Sequence, residues 1–175
     1  TYFGVWVDAD VGTATDDYVG CDVQRGLGYS YNGDAVDEPS SSSQGYGENP
    51  PAVGIDFFEG PYQDADSIDN PLTSNFSNAV DSIGIPYEGI GIGYGDGVVD
   101  NERFGMRRFV YYNNSGNQIN GEPSTPLHFY NYMNGIWKNG QKMAYGGDGV
   151  SAATGANLDI EADYMFPGDT DPFNW

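Results

Sequence analysis

The sequence predicts a mainly β domain, an antiparallel β-sandwich-like body with long loops and one packed α-helix over about 125–139. Three observations carry this. Aromatic residues make up 15% of the chain, with fourteen Tyr and three Trp among few Leu, a mix suited to half-buried strands and not to a Leu-rich bundle. Apolar runs are short and bounded by Gly, Asn, Asp or Pro. Only one stretch keeps a three- and four-residue apolar spacing long enough for a helix. At 175 residues, the whole of 1–175 is expected to form a single domain with a substantial core.

Strands are predicted, in order, at Tyr2–Val7, Ala52–Phe58, Tyr87–Tyr94 and Arg107–Tyr112. The run Gly89–Gly97 (GIGIGYGDG) alternates Gly with Ile and Tyr and reads as a glycine-rich strand. No G-K-[ST] follows that would make it a phosphate loop. Connections such as Asp37–Pro51, with Ser40–Ser43 inside it, are too long for plain hairpins and are expected to be surface loops ordered by packing or by ions. The helix is marked by Thr125 as N-cap and Pro126 at the first helical position. Phe129, Tyr130, Met133, Ile136 and Trp137 recur along it before Gly140. Its aromatic face, Met133 and Trp137 included, is expected to pack on a sheet.

The charge is extreme: 26 acidic residues, nineteen of them Asp, oppose six Lys and Arg, for a net charge of -20. Phosphate repels such a surface, so no nucleic-acid partner is expected, and no apolar run long enough for direct membrane insertion occurs. A halophilic surface would also be acidic, but it gives no reason to prefer Asp over Glu, whereas tight oxygen-lined turns do.

The aspartates are grouped. Asp8, Asp10, Asp16, Asp17 and Asp22 follow one another among small residues and glycines, and similar groups recur at Asp64, Asp66, Asp69 and Asn70 and at Asp96, Asp100, Asn101 and Glu102. Calcium takes six to eight oxygens at about 2.3–2.6 Å, and closely spaced carboxylates on a turning backbone can supply them. The segments do not fit the EF-hand loop, because Gly12 stands at the third ligand position. The bland alternative is that Asp and Gly mark solvated turns. Against it, Asp16 and Asp17 adjoin Tyr18, Val19 and Cys21, residues that favour burial, where unpaired charge is not tolerated. Calcium is thus the expected cofactor. Each millimolar-occupied site would contribute on the order of 1.5–2 kcal/mol, in a chain whose single cysteine rules out an internal disulfide.

Catalytic chemistry is poorly supplied. The one histidine, His128, falls in the first turn of the predicted helix with no nucleophile motif near it, and Cys21 reads as a small buried hydrophobe. A carboxylate glycosidase needs only two facing acids, with Glu59 and Glu102 as its candidates. The favoured reading has no catalytic residues.

The segments DADVGTATDDYVGCDVQRGLGYSYNGD, GYGENPPAVGIDFFEGP, GDGVVDNERFGMRRFVYYNN, FYNYMNGIWKNGQKMAYGGDG and YMFPGDTDP, taken in order, resemble a block found in large exported proteins of Bacteroidetes, cargo of the type IX secretion system. The resemblance spans nearly the whole chain. It implies an extracellular or cell-surface location and a β-rich architecture, with no particular chemistry. It also implies O-glycosylation at Asp followed by Ser and an aliphatic residue, a pattern met at Ser67 and better at Ser82. The chain does not begin with Met and ends on the turn-rich FPGDTDPFNW, so a fragment of a longer secreted polypeptide is expected. The function expected from all this is that of a calcium-stabilised structural or adhesive module whose partners are neighbouring domains or sibling subunits. A carbohydrate-binding module that takes glycans is the alternative.

Overall fold

A computed structural model of the chain describes residues 3–57, 59–63, 65–71 and 91–171. The described residues form small antiparallel sheets and one α-helix, a mainly β protein with long irregular connections. The largest sheet has strand order β1 (Asp17–Asp22), β2 (Leu27–Asn32), β5 (Ala52–Asp56). Two ribbons complete the regular strands: β3 (Val36–Asp37) with β4 (Gly47–Glu48), and β6 (Ala144–Tyr145) with β7 (Asn157–Glu161).

The β1–β2 hairpin is the best-formed unit, with six residue pairs in register from Asp17↔Asn32 to Asp22↔Leu27. It lies outside the predicted strands because Gly20 and Gly28 weaken its β signal. Both glycines are required by packing. A Cβ on Gly20 would come within 2.6 Å of the Tyr29 hydroxyl, and one on Gly28 within 2.9 Å of the Phe109 ring.

The predicted strand at Ala52–Phe58 is β5, shortened to Ala52–Asp56. The strand predicted at Tyr2–Val7 does not form. Phe3–Asp10 pairs with no strand and instead lies over aromatic surface, Trp6 stacking on Tyr112 at 4.4 Å and Phe3 meeting Phe57 at 5.8 Å. Of Tyr87–Tyr94, residues 87–90 lie outside the described residues and Ile92 makes a single bridge to Arg103. Arg107–Tyr112 is no strand either. It packs on both hydrophobic clusters through Phe109, whose N bonds the Asp163 carbonyl (3.1 Å) and whose carbonyl accepts from Met165 N (3.0 Å).

The helix α1 spans Pro126–Met133, capped as expected by Thr125, whose hydroxyl accepts from His128 N. It ends six residues before the predicted stop. Gly135 at φ +67 turns the chain, and its N–H bonds the Tyr132 carbonyl at 2.8 Å. Met133 is consequently 39% exposed, and the buried helical side chains are Asn131 and Tyr132. Trp137 is buried as predicted, but from the turn after the helix. It joins Tyr132, Met143, Ala162 and Met165 in the main core, with its indole N–H on the Gly149 carbonyl (2.9 Å). The second cluster is Cys21, Val23 and Tyr164, with Phe109 packed against both. No helix among the described residues is long and apolar enough to cross a membrane.

Candidate metal-binding loops

The five aspartates of the first segment do not come together as one set. Asp8 is exposed and lies beside Tyr112; burial and then the Asp8 charge raise that phenol above its ordinary range. Asp22 stands at the far end of β1 from Asp17, roughly 16 Å away along an extended strand. Being five positions on, it faces the other side of the sheet. Both its oxygens are used at the hairpin turn, by Arg25 N (3.0 Å) and by the Arg25 guanidinium.

Asp10, Asp16 and Asp17 stay close, and a residue that sequence reasoning missed, Asp37, joins them. Burial first, then the charges of Asp16, Asp10 and Asp37, hold the Asp17 carboxyl above the usual carboxylate range, opposed by its bond from Val11 N (2.7 Å). Asp37 is fully buried and accepts from Thr13 N (2.9 Å) and Tyr46 N (2.7 Å), so it ties the entry loop to the β3–β4 ribbon. Gly12, at φ +72, lies across this carboxylate, and a Cβ there would fall 1.7 Å from Asp37 Oδ2. Nothing local in the sequence distinguishes Asp37 from the other aspartates.

The second and third groups, separate in sequence, form one clasp. Asp69 accepts from Gly95 N and Gly97 N, both at 2.7 Å, and Asp100 accepts from Ser67 N at 2.8 Å. Asp66 and Asp96 bond the amides two residues on, Ile68 and Val98, each at 2.8 Å, the side-chain turn that favours Asp in loops. Asp96 also accepts from the Asn101 amide (2.9 Å), and Glu102, 1% exposed, accepts from Asn70 N. The turn-marking role of Asp is therefore realised at these positions. Asp64 and Ser82 lie outside the described residues; Ser67 is exposed at φ +64.

Among the described residues, no group of three or more His, Cys, Asp or Glu side chains is arranged to hold a metal ion. Amide and hydroxyl oxygens change that picture. Asp17 Oδ1, Asn32 Oδ1, Thr13 Oγ1 and Ser30 Oγ at the hairpin, and Asn70 Oδ1 and Asn101 Oδ1 at the clasp, are buried without a hydrogen-bond partner. A seventh, Asn120 Oδ1, lies at neither place. Buried polar atoms are nearly always satisfied, so the presence of the other six at the two acid-rich places points to something that binds oxygen. The six cations are engaged elsewhere. Arg25 is on Asp22, Arg103 on Glu59 (3.6 Å), Arg107 and Arg108 on Asp163, Lys142 on Glu161, and Lys138 on the Asn117 carbonyl (3.0 Å). A hard cation with oxygen ligands fits the donors present.

The lone histidine and cysteine are structural in their surroundings. His128 Nδ1 accepts from Ser124 N (3.2 Å) at the helix start. Cys21 is fully buried, and burial, with Asp171 and Asp22, pushes its thiol up to about 12. At neutral pH a soluble maleimide is therefore expected to label Cys21 only after unfolding. Labelling of the native protein at the unfolded rate would contradict this.

Comparison with family models, with curated proteins and with solved structures finds no match for this chain.

Proposed function

We propose that the chain is a calcium-stabilised structural or adhesive module of a larger cell-surface or secreted protein, acting by interaction with neighbouring domains or sibling subunits. The observation that carries this is the coincidence of orphaned buried oxygens with acid-rich loops, at Asp17 with the charges of Asp16, Asp10 and Asp37 turned toward one carboxylate. On this reading the small sheets are the regular parts of a sandwich-like body whose long loops are ordered by ions. The resemblance to exported Bacteroidetes proteins supports an extracellular setting, where millimolar calcium is available, and with it a type IX route and glycosylation of Ser82 or Ser67. Chelation tests it. Excess EDTA is expected to lower the melting temperature, by several degrees for each 1.5–2 kcal/mol of linked binding (order of magnitude). An unchanged melt would end the calcium reading.

The carbohydrate-binding reading has an observation of its own. Tyr18 and Tyr31 are cross-strand partners on the face of the large sheet away from Cys21, 58% and 42% exposed with ring centroids 6.1 Å apart, and Tyr29 continues the row at 6.0 Å. Exposed rings in a row suit stacking on neutral sugars. A glycosidase has less support: Glu102 is buried beneath Asn70, and Glu59 is paired with Arg103.

A further inference from the structure

Asp17 and Asn32 are directly opposite each other in the β1–β2 ladder, so their side chains project from one face of the sheet as nearest cross-strand neighbours. Asn32 is 6% exposed. Its amide nitrogen donates to the Asp34 and Val36 carbonyls at 3.4 and 3.2 Å, leaving Oδ1 buried with no donor. Asp17 spends Oδ2 on Val11 N, and its Oδ1 is likewise buried and unpartnered. Thr13, 9% exposed, supplies a third orphan, Oγ1. It is held there because residues 11–13 are strung between two carboxylates, Val11 N on Asp17 and Thr13 N on Asp37, with Gly12 turning the chain between them.

A buried water is the simplest alternative occupant. It could donate to Asp17 Oδ1 and Asn32 Oδ1 and accept from the Thr13 hydroxyl, but being neutral it leaves Asp17 facing Asp10, Asp16 and Asp37 with no cation among the groups that act on it. A cation answers that deficit. The donors are all oxygen, from a carboxylate, an amide and a hydroxyl on a loop joined to a strand pair, a set that suits the variable coordination of calcium better than the strict octahedron of magnesium.

We infer that Asp17, Asn32 and Thr13 form a calcium site at the open end of the β1–β2 hairpin, holding the ion through Asp17 Oδ1, Asn32 Oδ1 and Thr13 Oγ1, with Asp10, Asp16 and Asp37 supplying charge around it. The inference rests on the calcium reading above and names one site for it. It keeps Asp17 of the five-aspartate set as a ligand, adds two residues, Asn32 and Thr13, that carry no charge, and excludes Asp22.

The test is calorimetric calcium titration and thermal melting of the full chain, wild type against Asp17→Asn and Thr13→Val. Both substitutions spare the backbone bonds of the loop, since Asn keeps an acceptor for Val11 N and Val keeps the N–H that Asp37 accepts. In EDTA each variant is expected to melt at or above the wild type, because each removes an unsatisfied or repelled buried oxygen. In calcium the order inverts. Asp17→Asn is expected to raise the Kd of this site by about tenfold or more, and Thr13→Val by several-fold, as ligand charge and number fall. A merely structural role would lower melting in both buffers. If calcium stabilises the wild type and both variants by the same amount, the ion sits elsewhere and only this site is refuted. If calcium stabilises none of them, the calcium reading falls with it.

Discussion

Trp137→Ala is expected to lower the free energy of unfolding by about 3–5 kcal/mol, the usual range for deleting a large aromatic from a core. Trp137 is 1% exposed. It meets Tyr111 edge to face at 5.4 Å, and its N–H is satisfied by the Gly149 carbonyl, so truncation removes packing, an aromatic contact and a hydrogen bond together. Gly149 itself, at φ +72, fits only because it has no side chain; a Cβ there would lie 3.0 Å from the indole. Met133→Ala on the neighbouring helix is the control. Met133 is 39% exposed, and its loss is expected to shift stability by under about 1 kcal/mol. Chemical denaturation of the two variants checks the contrast, and equal midpoints would mean that the core has been misidentified.

The difference between these two neighbours also marks how far the sequence could be read. The start of the helix was legible because Thr125 and Pro126 act locally, through one hydroxyl and one fixed φ. Its end was not. Ile136 and Trp137 continue the apolar spacing past Asn134 and Gly135, and only the left-handed turn at Gly135 decides that Trp137 leaves the helix. In the sheet, β5 was legible from its apolar run, while β1 and β2 were hidden by Gly20 and Gly28, whose lack of side chain serves Tyr29 across the hairpin and Phe109 far along the chain. Arg107–Tyr112 had the composition of a strand, yet its apolar side chains are used on the main core, with Phe109 also packed on the second cluster.

The candidate site follows the same rule. Acid density directed attention to the segment around Asp10, Asp16 and Asp17, but which carboxylates share a face depends on β1, and β1 was not foreseen. Asp22 drops out because it faces the other side of that strand. Asn32 enters because the ladder sets it opposite Asp17. Asp37 enters through hydrogen bonds to residues 24 and 9 positions away, which no local pattern encodes.

Asp37 gives the other large expected effect. Asp37→Ala should cost about 2–4 kcal/mol, since it strands two backbone donors: the buried Thr13 N, worth about 1–3 kcal/mol when left unpaired, and the part-buried Tyr46 N, worth about 1 kcal/mol. One term opposes this: the Asp37 charge repels Asp17, and its removal relieves that carboxylate. Asp17 is only partly buried, so solvent weakens the repulsion, and the loss of two hydrogen bonds, one buried and one part-buried, dominates. Asp37→Asn separates the two contributions. It removes the charge and keeps one acceptor oxygen, and should therefore lose less than the alanine variant. Hydrogen exchange locates the effect. In Asp37→Ala the amides of Thr13 and Tyr46 should exchange at rates close to those of an open loop, while Gly20 and Tyr29, paired in the β1–β2 ladder, stay protected. If Thr13 and Tyr46 remain as protected as in the wild type, Asp37 does not hold the entry loop to the β3–β4 ribbon, and the positioning of Thr13 beside Asp17 would need another cause.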